Sequence, residues 1–99
     1  MIRLATSAHA GLGAQLAQLV RGEILRSRES GWESASFCGA RHRYVIGVAR
    51  PLDMLSLDGI EEREFRIPGH FVADVALVAR SQDPATCRLV FEALTVEDC

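Results

Sequence analysis

Ninety-nine residues, 48% of them hydrophobic, suit a single domain spanning 1–99, with one core and no elaborate superstructure around an active site. Thirteen acids against eleven arginines and no lysine leave a formal charge of -2, so long-range attraction to nucleic acid or to an anionic membrane is not expected. No stretch approaches the ~20 apolar residues of a membrane span, and Met1-Ile2-Arg3-Leu4-Ala5-Thr6 has neither the basic nor the apolar character of an export leader, so the expected location is the cytosol.

In chain order, Ser7 to Ser30 reads as one amphipathic helix, because Leu12, Leu16, Leu19, Val20 and Ile24 recur at helical spacing. Thr6 or Ser7 would cap its start and Gly31 would end it. Gly11, Gly13 and Gly22 are poor helix formers, but their small size admits a close neighbour, so the helix should lie tight on a sheet. Gly11-Leu-Gly-Ala is not a dinucleotide loop: Leu16 stands where Gly-x-Gly-x-x-Gly needs its third glycine, and no phosphate-loop Gly-Lys-Ser exists.

A hairpin follows, with halves Trp32 to Cys38 and His42 to Ala49 around Gly39-Ala40-Arg41. Tyr44, Ile46 and Val48 share one face; Val45, Gly47 and Ala49 share the other. Arg41-His42-Arg43-Tyr44 is the basic cluster with an aromatic, and at a hairpin end it reads as a solvated tip. Leu52 to Glu64 is either a helical turn over the sheet edge or a small hairpin turning at Asp58-Gly59. Phe65-Arg66-Ile67 continues as strand until Pro68-Gly69, an edge position or bulge that re-aims His70.

The firmest element is a second, long hairpin, Phe71 to Arg80 and Cys87 to Glu97, joined across Asp83-Pro84. Strict alternation puts Phe71, Ala73, Val75, Leu77 and Ala79 with Cys87, Leu89, Phe91, Ala93 and Thr95 on the face the helix covers. The other face receives His70, Val72, Asp74, Ala76, Val78 and Arg80 with Arg88, Val90, Glu92, Leu94 and Val96. A turn symmetric about Asp83 sets Asp74 opposite Glu92. Such a like-charge pair requires Arg88 or Arg43, a cation, or a proton to offset it.

Cys38, Cys87 and Cys99 are odd in number and form no Cys-x-x-Cys pair, so they read as thiols rather than a disulfide framework or a zinc site. No Gly-x-Ser-x-Gly or His-Glu-x-x-His motif is present. Cys38 and His42 bracket a turn without an orienting third group, which suits packing better than catalysis.

The fold expected is therefore α+β: one N-terminal helix packed on a four-stranded antiparallel sheet made of two hairpins. Two functions compete. The first is a non-enzymatic protein-interaction or assembly module, a homo-oligomer joined through Val72, Val78, Val90, Leu94 and Val96, with Arg88 among the charges that meet across it. The second is a small-ligand or metal-binding protein, with catalysis as its extension, built on His70, Asp74, Glu92 and Tyr44. The motifs imply no cofactor and no defined metal set, and nucleic acid ranks last among the partners.

Overall fold

The computed structural model describes residues 7–49, 57, 59–82 and 86–98. One helix, α1 (Ser7–Val20), is followed by β1 (Glu23–Glu33), β2 (Phe37–Val48), a 3-10 turn (Ile60–Glu62), β3 (Phe71–Gln82) and β4 (Cys87–Asp98). The strands form one antiparallel sheet in the order β1-β2-β4-β3. This is the expected α+β arrangement of a helix and two hairpins.

The helix stops ten residues earlier than its apolar spacing suggests. Arg21 adopts the left-handed conformation (φ 55°). Its N–H donates to Gln18 O at 3.2 Å, and the Gly22 N–H donates to Ala17 O at 2.9 Å. This bond pair is the Schellman arrangement, which satisfies the last carbonyls and turns the chain out of the helix. Leu19, Val20 and Ile24 thus mimic one apolar stripe while belonging to two elements. Gly22 is required at the joint, since a Cβ there would sit 2.6 Å from the Gly47 carbonyl oxygen.

The first hairpin is also longer than expected and turns elsewhere. Ser34-Ala35-Ser36 makes the turn, with the Ser34 N–H donating to Phe37 O at 2.7 Å and the Phe37 N–H donating to Ser34 Oγ at 3.2 Å. Gly39-Ala40-Arg41 and Arg41-His42-Arg43-Tyr44 therefore lie inside β2, a central strand, and not at a tip. Cys38 and His42 sit on one strand, four residues apart, instead of facing across a turn. Cys87 is a buried free thiol as expected, but Cys38 is disulfide-bonded, correcting the all-thiol reading. An odd count and a missing Cys-x-x-Cys do not bear on pairing between distant positions.

The core lies on one side of the sheet. Ala8, Leu12, Leu16 and Val20 of α1 pack with Tyr44, Ile46 and Val48 of β2 and with Leu89, Phe91 and Ala93 of β4. Leu57, Ile60, Phe65 and Ile67 complete the same core from the connection, whose 3-10 turn contacts β3. Of the two expected forms of that connection, the described part has the helical turn; Leu52 to Ser56 and Asp58 lie outside the described residues. Phe65 to Ile67 is not a strand: only Ile67 bridges to His70, closing the Pro68-Gly69 turn with the His70 N–H on Ile67 O at 3.0 Å.

Two bulges in β3 change which side chains share a face. The register slips between Val72 and Asp74 and again between Leu77 and Ala79. Each extra residue reverses the alternation beyond it. Phe71 moves to the open face, 68% exposed, while Val72 packs against the core. Arg80 opposes Leu89, and Ala79 opposes Val90. Only the stretch between the bulges keeps the expected phase, with Val75 and Leu77 inward and Asp74 and Ala76 outward.

Candidate functional site

The second face of the sheet carries no covering element among the described residues. Alternation in β1 and β2 places Arg28, Arg41 and Arg43 on it, and Arg28 stands directly opposite Arg43. Arg43 is also opposite Glu92, and its Nη1 lies 2.7 Å from Glu92 Oε2. Both partners are half-exposed, so the pair contributes little stability, at most about 1 kcal/mol, but it neutralises the acid. Glu92 faces Ala76, and Asp74 faces Leu94, so the expected Asp74–Glu92 opposition does not occur. The strands meet at the turn end with Gln82 opposite Cys87, three positions from the expected register, and the slip between Leu77 and Ala79 still leaves Asp74 two positions away, at Leu94.

A shallow groove of about 350 Å³ runs between these residues, lined by Arg28, Arg41 and Arg43 on one flank and Asp74, Glu92 and Leu94 on the other. Around it lie half-buried Val90 and Val96 and the exposed Leu25, Phe37, Phe71 and Val78. Trp32, opposite Gly39 on β2, has its Nε1 buried with no hydrogen-bond partner among the described residues.

The four residues singled out for ligand binding do not converge. Asp74 and Glu92 line the groove, whereas Tyr44 is 1% exposed on the helix side. His70 is tied to the end of the hairpin, with Nε2 3.1 Å from Glu97 Oε2 and Nδ1 3.2 Å from Pro68 O.

Instead, the helix side holds a cluster to which Tyr44 alone of those four belongs. Inward alternation of β2 buries His42 beside Tyr44, and β1 sets Glu29 directly opposite His42. The first turns of α1 bring His9 onto both rings, stacked 5.1 Å from His42 and 4.8 Å from Tyr44 between ring centres. His42 Nε2 is 2.8 Å from Thr95 Oγ1 on β4, and His42 Nδ1 is 2.8 Å from His9 Nδ1. The Tyr44 hydroxyl donates to His9 O at 2.7 Å and lies 3.2 Å from His9 Nδ1.

His42 thus has a close partner at each ring nitrogen, Thr95 Oγ1 at Nε2 and His9 Nδ1 at Nδ1, and its tautomer sets which of the two contacts it donates to. Burial, and secondly the neighbouring His9, holds the His42 pKa below its ordinary value, with Glu29 opposing. Burial pushes the Tyr44 hydroxyl well above the ordinary phenol range, and the Glu29 charge adds to this. Both rings are therefore neutral near pH 7.

Comparison with protein-family models, with curated proteins and with solved structures finds no match for the chain. Its reading rests on the two faces.

Proposed function

We propose that the chain is a non-enzymatic assembly module that pairs with a second copy of itself through the open face of its sheet. The observation that carries this reading is the composition of that face: an apolar periphery of Leu25, Phe37, Phe71, Val78, Val90 and Val96 around a charge-divided groove. An open sheet face that contacts only water ordinarily alternates to polar residues, and Phe71 has no such reason to be 68% exposed.

The charges are self-complementary. Arg28 and Arg41 lie on the β1–β2 half, Asp74 on the β3 edge, so a two-fold axis can lay the basic half of one copy over the acid of the other. Four strands at ~4.8 Å spacing and ~12 residues of ~3.3 Å each present about 750 Å², close to the ~800 Å² per partner of a standard stable interface. The interface residues proposed are Val78, Val90, Leu94, Val96 and Arg88, joined by Phe71. Val72 leaves the set because it packs into the core. The acids do not favour the ligand reading, since Arg43 occupies Glu92.

Trp32, the single tryptophan, reports on this face. Dilution from about 100 μM to about 0.1 μM should shift its emission to longer wavelength as copies separate. Val90→Arg and Phe71→Arg should emit at that dissociated position at every concentration, with native circular dichroism. Emission in both folded variants identical to the parent at every concentration contradicts the reading.

A further inference from the structure

We propose that His9, Glu29 and His42 form a binding site for one divalent transition-metal ion, with zinc as the defining probe. The site is independent of the open face and lies on the opposite side of the sheet. Its three ligand atoms, one from each residue, fall within 4.8 Å of one another. They come from the helix, the edge strand and a central strand, so the fold itself assembles them.

The geometry around His42 is that of a ligand held in place. Its Nε2 lies 2.8 Å from Thr95 Oγ1, which fixes the ring and aims Nδ1 at His9. Metal-bound histidines characteristically donate their other ring N–H to such a partner. Thr95 is in turn 3.5 Å from Ala40 O, so the support reaches the backbone of the same strand that carries His42.

Two Nδ1 atoms 2.8 Å apart now share a proton. A tetrahedral ion with Zn–N bonds of ~2.0–2.1 Å holds its nitrogens roughly 3.3 Å apart. Binding thus needs the pair to open by about 0.5 Å and the shared proton to pass to the Nε2 of the ring that carries it, which leaves both Nδ1 lone pairs for the ion. His9 and Glu29 are half-buried, whereas His42 is 2% exposed, so the two outer ligands can adjust around a fixed inner one. The Tyr44 hydroxyl, 3.2 Å from His9 Nδ1, braces the helix at that point through its bond to His9 O.

Donor chemistry selects the ion. Two imidazoles and one carboxylate suit zinc and its first-row neighbours, whereas calcium and magnesium take oxygen donors. Three protein ligands leave a fourth tetrahedral position for water.

The test is titration of the metal-stripped, untagged chain with Zn²⁺ by calorimetry, with thermal unfolding followed in parallel. One ion per chain, a raised Tm, and affinity reduced at least tenfold in His9→Ala and in Glu29→Gln are expected. Thr95→Val should weaken binding by ~10–100-fold while leaving one site. His70→Ala removes the other histidine–carboxylate pair and should leave binding intact. The proposal is overturned if the parent binds no zinc, or if His9→Ala and Glu29→Gln bind as the parent does.

Discussion

At Gly22 an added methyl carbon would fall 2.6 Å from the Gly47 carbonyl oxygen and 2.7 Å from Ile46 Cγ2. Backbone yields less readily than a flexible side-chain tip. Gly22→Ala is therefore expected to destabilise the fold by ~1–3 kcal/mol, measured as a lower urea midpoint with unchanged slope. The sequence indicates that these glycines admit a close neighbour, and Gly22 against β2 and Gly13 against the Tyr44 ring bear this out. It does not indicate the histidine cluster. A helix running on to Ser30 would carry Glu29 about 30 Å from His9 at ~1.5 Å per residue. Because the chain reverses at Arg21, the two meet instead. The pairing of His42 with His9 depends on β2 being central, which the apparent tip at Arg41 concealed.

Among the elements, β4 and β3 were the most legible because apolar residues alternate along both, and the β4 phase survives unchanged from Cys87 to Val96. Phe91, fully buried between α1 and the sheet, should cost ~3–5 kcal/mol on truncation to alanine. Leu77, on the edge strand and half-buried, should cost less, so urea unfolding of Leu77→Ala and Phe91→Ala should rank them in that order. Equal losses would contradict the placement of the core centre on β4. The β1 strand was not legible. It is a polar edge strand, Glu-Ile-Leu-Arg-Ser-Arg-Glu-Ser-Gly-Trp-Glu, and polar edge residues that discourage further pairing also erase the alternation that announces a strand. The β3 bulges were hidden for a different reason. Neither Ala73 nor Val78 is a residue type that signals a bulge, and each follows from how β3 fits against β4.

For the whole molecule, the shortest dimension of 19 Å corresponds to one sheet and one covering layer. The arrangement separates two kinds of surface: a closed side holding His9, Glu29 and His42, and an open side holding a charge-divided groove with apolar margins. The expectation that the second face would be too apolar for free exposure rested on five residues. Four of them, Val78, Val90, Leu94 and Val96, remain available to it, while Phe71 replaces Val72. The central claim is that this face joins two copies, and molar mass by light scattering over a range of concentrations tests it most directly. The native 10.8 kDa chain should approach twice its mass at high concentration, and Phe71→Arg, altered at an exposed position, should remain a folded monomer. A native chain that stays at 10.8 kDa throughout, with unchanged secondary structure, would contradict the account.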